Sequence, residues 1–145
     1  MLIAMALAAA ELATPPPKCF AELGVEETFA RLADMPEPVR KNVLAHGKMA
    51  EPGQPYEATD VIMSDNPRRS FVIGGRQGDY FFVWFRQGGF SNYEVVYGYE
   101  LLFSNSKERR DPTYFLVGQF KVKPCAALAA LFQGVGTYVE PPDQF

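Results

Sequence analysis

The chain has 145 residues, of which 48% are apolar and 14% aromatic, with a formal net charge of −3. This length and apolar content fit one domain with a real core. The mildly acidic balance excludes a chain that binds nucleic acid through its overall charge.

Met1 to Ala10 form a short apolar run ending in small residues. The run resembles the later part of a secretory signal peptide. Ala8, Ala9 and Ala10 satisfy the small-x-small cleavage rule, and Glu11, Leu12 and Ala13 are a poorer second choice. The usual basic start is missing, because no Lys or Arg precedes Lys18. An alanine-rich first helix of a cytosolic domain is the competing reading. The run is too short to span a bilayer, and no other segment qualifies. The chain therefore divides into a signal peptide at 1–13, a Pro-rich lead-in at 14–24 and one globular domain at 25–145. Cys19 and Cys125 are the only cysteines. In an exported chain such a pair reads as one disulfide, against two buried free thiols in a cytosolic one. Two cysteines and one histidine are too few for a standard zinc site, so neither a metal nor a cofactor is expected.

Val25, Phe29 and Leu32 fall at helical spacing, with Glu26 and Glu27 in what would be the first turn. A helix is expected from Val25 to Ala33, ended by Pro36. A second opens at Pro38, carries Val39, Val43 and Leu44 on its apolar stripe and stops at Gly47. Together they make an N-terminal helical hairpin. Glu51 to Pro55 is a strong turn signal. Asp60 to Ser64 is a short strand or an entry segment, and Arg69 to Gly74 is a more secure strand. Gly75 to Gly78 then connects tightly into the next strand.

Asp79 to Arg86 and Tyr93 to Phe103 are the longest β-branched and aromatic runs, and they form the central hairpin. Phe81, Val83 and Phe85 share one face, while Tyr80, Phe82 and Trp84 share the other, so the strand is covered on both sides. In the second run Tyr93, Val95, Tyr97, Tyr99, Leu101 and Phe103 face the core. Gly98 inside this strand signals a bulge, a bend or the close approach of another element. Ser104 to Pro112 is an exposed loop. Thr113 to Val122 is an edge strand with Tyr114, Leu116, Phe120 and Val122 on one face, and Lys121 or Lys123 near Glu94 or Glu100. Pro124 opens a last helix to Gln133, with Cys125 on its inner face. Val135 to Phe145 is irregular. The fold class is α+β: a helical hairpin, a four- to five-stranded antiparallel β-meander and a C-terminal helix packed on the sheet. A small open barrel is the alternative.

No Gly-x-Ser-x-Gly, paired metal-ligand histidines or nucleotide fingerprint occurs. His46, the sole histidine, is the obvious proton-transfer candidate, yet its place beside a helix-ending glycine suits a plain capping role. Glu94 and Glu100 are the other acid–base candidates and need a cleft to bring them together. Arg76 and Arg86, with Phe90 and Tyr93, are the binding candidates. Convergent arginines, Arg68 and Arg69 among them, make a site for an anion or an acidic partner. These features favour a small exported non-catalytic binding protein, periplasmic or secreted, acting on a protein partner or a small anionic ligand. A small hydrolase using acidic residues or His46 and a structural envelope component are the alternatives.

Overall fold

The structure, a computed structural model, describes residues 16–58, 65–89, 93–103 and 112–135. In chain order the elements are α1 (Cys19–Leu23), β1 (Glu27–Phe29), a 3-10 turn (Leu32–Asp34), α2 (Glu37–Ala45), β2 (Arg69–Gln77), β3 (Tyr80–Gln87), β4 (Tyr93–Phe103), β5 (Pro112–Phe120) and α3 (Pro124–Phe132). The five strands form one antiparallel sheet in sequence order. The α+β class, the meander and the C-terminal helix on the sheet are as expected. The expected strand at Asp60 to Ser64 lies outside the described residues, as do the expected signal peptide at 1–13, Phe90, and the stretches 104–111 and 136–145 expected as loop and irregular tail.

Alternation along β3 and β4 builds a core on each side of the sheet. Phe81, Val83, Phe85, Val95, Tyr97 and Tyr99 point to the side covered by Leu32 of the 3-10 turn, by Met35 just after it and by Val39 and Val43 of α2. Phe82 and Val96 point to the side covered by Phe20 of α1 and by Ala127, Leu128 and Leu131 of α3. The central strand is thus covered on both faces. Phe82 and Phe85 are almost completely buried, and each such burial stabilises the fold by about 1.5–3 kcal/mol.

The helix expected over Val25 to Ala33 does not form. Gly24, in the left-handed conformation at φ 74, ends α1. The Glu26 amide then donates to the Arg76 carbonyl at 2.8 Å, and β1 pairs with β2 from Glu27↔Arg76 to Phe29↔Gly74. Glu26 and Glu27 hold the Arg76 guanidinium at 2.7 and 3.3 Å. Long-range pairing and these ion pairs override a short periodic pattern whose intrinsic preference is weak. Leu32 still reaches the core, from the 3-10 turn.

One turn falls later than expected, and one irregularity changes which face a residue occupies. β2 runs on through Gly74 and Gly75 to Gln77, so the turn is Gly78 and Asp79, with Gly78 at φ +58. Gly75 lies under the Phe82 ring, 2.5 Å from where a Cβ would stand. In β5 the register shifts by one residue: Gly98 pairs with Gly118 but Tyr99 with Leu116. Such a bulge flips the side chains beyond it to the other face. Phe120 therefore packs with α3, not with Tyr114 and Leu116 as simple alternation predicts.

A disulfide joins Cys19 of α1 to Cys125 of α3 across 106 residues, with Cα atoms 6.1 Å apart. No helix among the described residues is long and apolar enough to cross a membrane.

Candidate functional site

The sheet separates the residues singled out from the sequence. Arg76 stands at the turn end of β2, and Arg86 at the far end of β3, opposite Ser70. The β rise puts them on the order of 17 Å apart. Arg76 is taken up by Glu26 and Glu27. Arg86 lies 3.7 Å from Glu94, its cross-strand neighbour. Lys121 sits over the Tyr93 ring at 3.9 Å rather than against a carboxylate. Glu94 and Glu100 are six positions apart on one strand, about 20 Å by the same rise. They share the face of Val96, under α3, whereas His46 packs edge-on against Tyr97 on the α2 face. These three acid–base candidates do not come together. Tyr97 and Tyr99 are core residues, as expected.

A different set of residues does converge, where α2 ends beside the start of β2. Gly47 and Lys48 lead the chain out of α2 to Ala50, which bridges Ser70 along the part of β2 that β1 leaves uncovered. The Ala50 amide donates to the Arg69 carbonyl at 2.8 Å, and the Phe71 amide donates to the Ala50 carbonyl at 2.8 Å. Further on, the Glu57 amide donates to the Pro67 carbonyl at 2.7 Å, and the Gly88 amide to the Arg68 carbonyl at 2.7 Å. This backbone frame encloses a cleft of about 410 Å³, within the range of small-ligand sites. Its basic side chains are His46, Lys48, Arg68 and Arg69, and Glu57, Asp65, Asn66 and Gln87 complete the polar lining.

Arg69 is the unusual member. It is the one buried charged residue among those described, at 5% exposure. Its Nη2 donates to the carbonyls of Val43, at 2.7 Å, and of Gly47, and its Nε donates to the Lys48 carbonyl at 3.3 Å. It thus caps the C-terminal end of α2, where a cation is favoured. Its guanidinium also lies over the Phe85 ring at 5.0 Å. Burial pushes its pKa down, while the neighbouring Tyr97 and Tyr99 hydroxyls oppose that shift. Tyr97 lies beside the guanidinium, yet among the described residues no acceptor meets the buried Nη1 in hydrogen-bond geometry. Among the described residues no carboxylate pairs with Arg69.

His46 is the C-cap of α2 and precedes Gly47, the local position read from the sequence. Its Nδ1 donates to the Asn42 carbonyl at 2.8 Å, and the Tyr99 hydroxyl donates to Asn42 Oδ1 at 2.8 Å. The imidazole is therefore oriented at the edge of the cleft. The cleft's described lining has no Ser, Thr or Cys beside it to act as a nucleophile. Among the described residues no group of three or more His, Cys, Asp or Glu is placed to hold a metal ion.

Lys48 carried no signal in the sequence, and Arg68 and Arg69 were only two of several scattered arginines. Their convergence depends on a bridge between Ala50 and Ser70 that no local pattern encodes. Comparisons with protein-family models, with curated protein sequences and with solved structures find no match for this chain.

Proposed function

We propose that this chain is a small exported binding protein, non-catalytic, with its ligand received in the cleft at the end of α2. The observation that carries the reading is the buried Arg69 guanidinium in the wall of that cleft, with Lys48 and Arg68 exposed beside it. Fixed positive groups around a small concave site favour an anionic ligand or an acidic side chain of a partner protein. The Cys19–Cys125 disulfide supports an oxidising compartment, periplasmic or secreted. The separation of His46 from Glu94 and Glu100 weighs against the hydrolase reading.

The test is the intact mass of the protein purified from its native host, before and after reduction with alkylation. The expected protein lacks the first ten or thirteen residues and takes up alkylating agent at Cys19 and Cys125 only after reduction. An uncleaved start with two free thiols overturns export. Turnover of any substrate that His46→Ala abolishes, with the fold intact, overturns the non-catalytic part.

A further inference from the structure

We infer that the cleft is a site for a small oxyanion, a carboxylate or a phosphate group, contacted by Lys48 and Arg68 and held in the field of the buried Arg69. This rests on the binding-protein reading and names the chemical class of the ligand.

A guanidinium keeps its charge at physiological pH. Taking that charge out of water is costly unless an opposite charge stands near. Here Arg69 meets three main-chain carbonyls, the Phe85 ring and tyrosine hydroxyls, none of which carries a full negative charge. A buried charge with no counter-ion among the described residues acts over a longer range than a solvated one, because little water screens it. The cleft is where that field meets solvent, and an anion bound there supplies the missing counter-charge.

The contacting residues are preset by the chain around Arg69. Lys48 gives its carbonyl to Arg69 Nε, and Arg68 gives its carbonyl to the Gly88 amide at 2.7 Å, so both backbones are pinned before a ligand arrives. Gln87 and Asn66 add amide groups to the same lining. Glu57 and Asp65 border it too, and they limit how much negative charge it accepts. A group of single charge is therefore favoured over a highly charged anion.

The experiment is an amide NMR titration of the full disulfide-bonded protein with sodium acetate and, separately, sodium phosphate. Ionic strength is held constant with sodium chloride, and glycerol is the neutral control. Saturable shifts are expected in residues 46–48, 65, 66, 68, 69 and 87, with acetate, with phosphate or with both. The arm that saturates tells carboxylate from phosphate. Lys48→Met, on an exposed side chain, is expected to weaken binding about tenfold by removing one charge-assisted contact. Arg69→Met is expected to weaken it as well, but Lys48→Met remains decisive should that variant fail to fold. No saturable shift with either anion, or affinity unchanged in Lys48→Met, overturns the inference. If a protein partner then co-purifies from the native extracytoplasmic fraction, the binding-protein reading stands and only the anion site falls. If nothing co-purifies, both fall.

Discussion

Single side chains in this protein do work that their neighbours in sequence do not announce. Glu51 falls in a stretch that reads as a turn, yet its carboxylate accepts the Leu32 and Ala33 amides at 2.6 and 3.0 Å and so caps the 3-10 turn. Arg69 reads as the first residue of a strand and proves to be a helix cap. Their partners lie 19 residues away for Leu32 and Glu51 and 26 for Val43 and Arg69, beyond any local signal. Tyr99 was legible as core, and burial holds its hydroxyl well above the ordinary tyrosine range. A tyrosine that stays neutral when folded but ionises near pH 10 when unfolded stabilises the fold below that pH. The contribution is lost as pH rises above about 10. Urea unfolding from pH 8 to 11 is expected to show stability falling at the alkaline end. Tyr99→Phe should flatten that fall, while costing about 1 kcal/mol near neutrality through the lost Asn42 hydrogen bond. Tyr114, also raised by burial, accounts for part of the slope that remains. A decline as steep in Tyr99→Phe as in the parent would refute the assignment.

At the scale of elements, the long strands were readable because alternation, aromatic content and flanking glycines all agreed. β1 was not, since three residues are too few to show a period and Glu26 and Glu27 mimic a helix start. Gly98 shows both the reach and the limit of sequence reading. Its position predicted a bulge, a bend or a close approach, and the first and last occur there: the β4–β5 register shifts beside it, and Leu131 of α3 crosses it. A Cβ on Gly98 would stand 2.5 Å from Leu131 Cδ1. Gly98→Ala is expected to destabilise the fold by about 1–3 kcal/mol through overpacking, despite alanine's gain in chain entropy. In a Leu131→Ala background the same change should cost less, a coupling that a double-mutant cycle reads directly. Equal costs in the two backgrounds would mean that α3 does not press on β4 at this point. Which residue lay under α3 was beyond reach from sequence, because helix and strand are far apart in the chain.

Over the whole molecule, the class and the order of the meander followed from spacing and turn residues. The placement of the cleft did not, because it depends on where α2 ends relative to β2, a tertiary fact. The disulfide was readable as a pair but not as a clamp. It links α1 to α3, which share one face of the sheet. Cys19→Ser with Cys125→Ser is expected to lower stability by about 2–5 kcal/mol, most of it through the freer unfolded chain. Thermal melts of the two proteins check this, and an unchanged midpoint would mean that the link does not restrict the unfolded chain. The same link has a mechanical consequence. All five strands lie wholly inside the covalent ring, so tension applied outside Cys19 and Cys125 passes through the sulfur atoms and bypasses the sheet. A single protease cut anywhere between Cys19 and Cys125, likewise, leaves both pieces on one molecule until a reductant separates them.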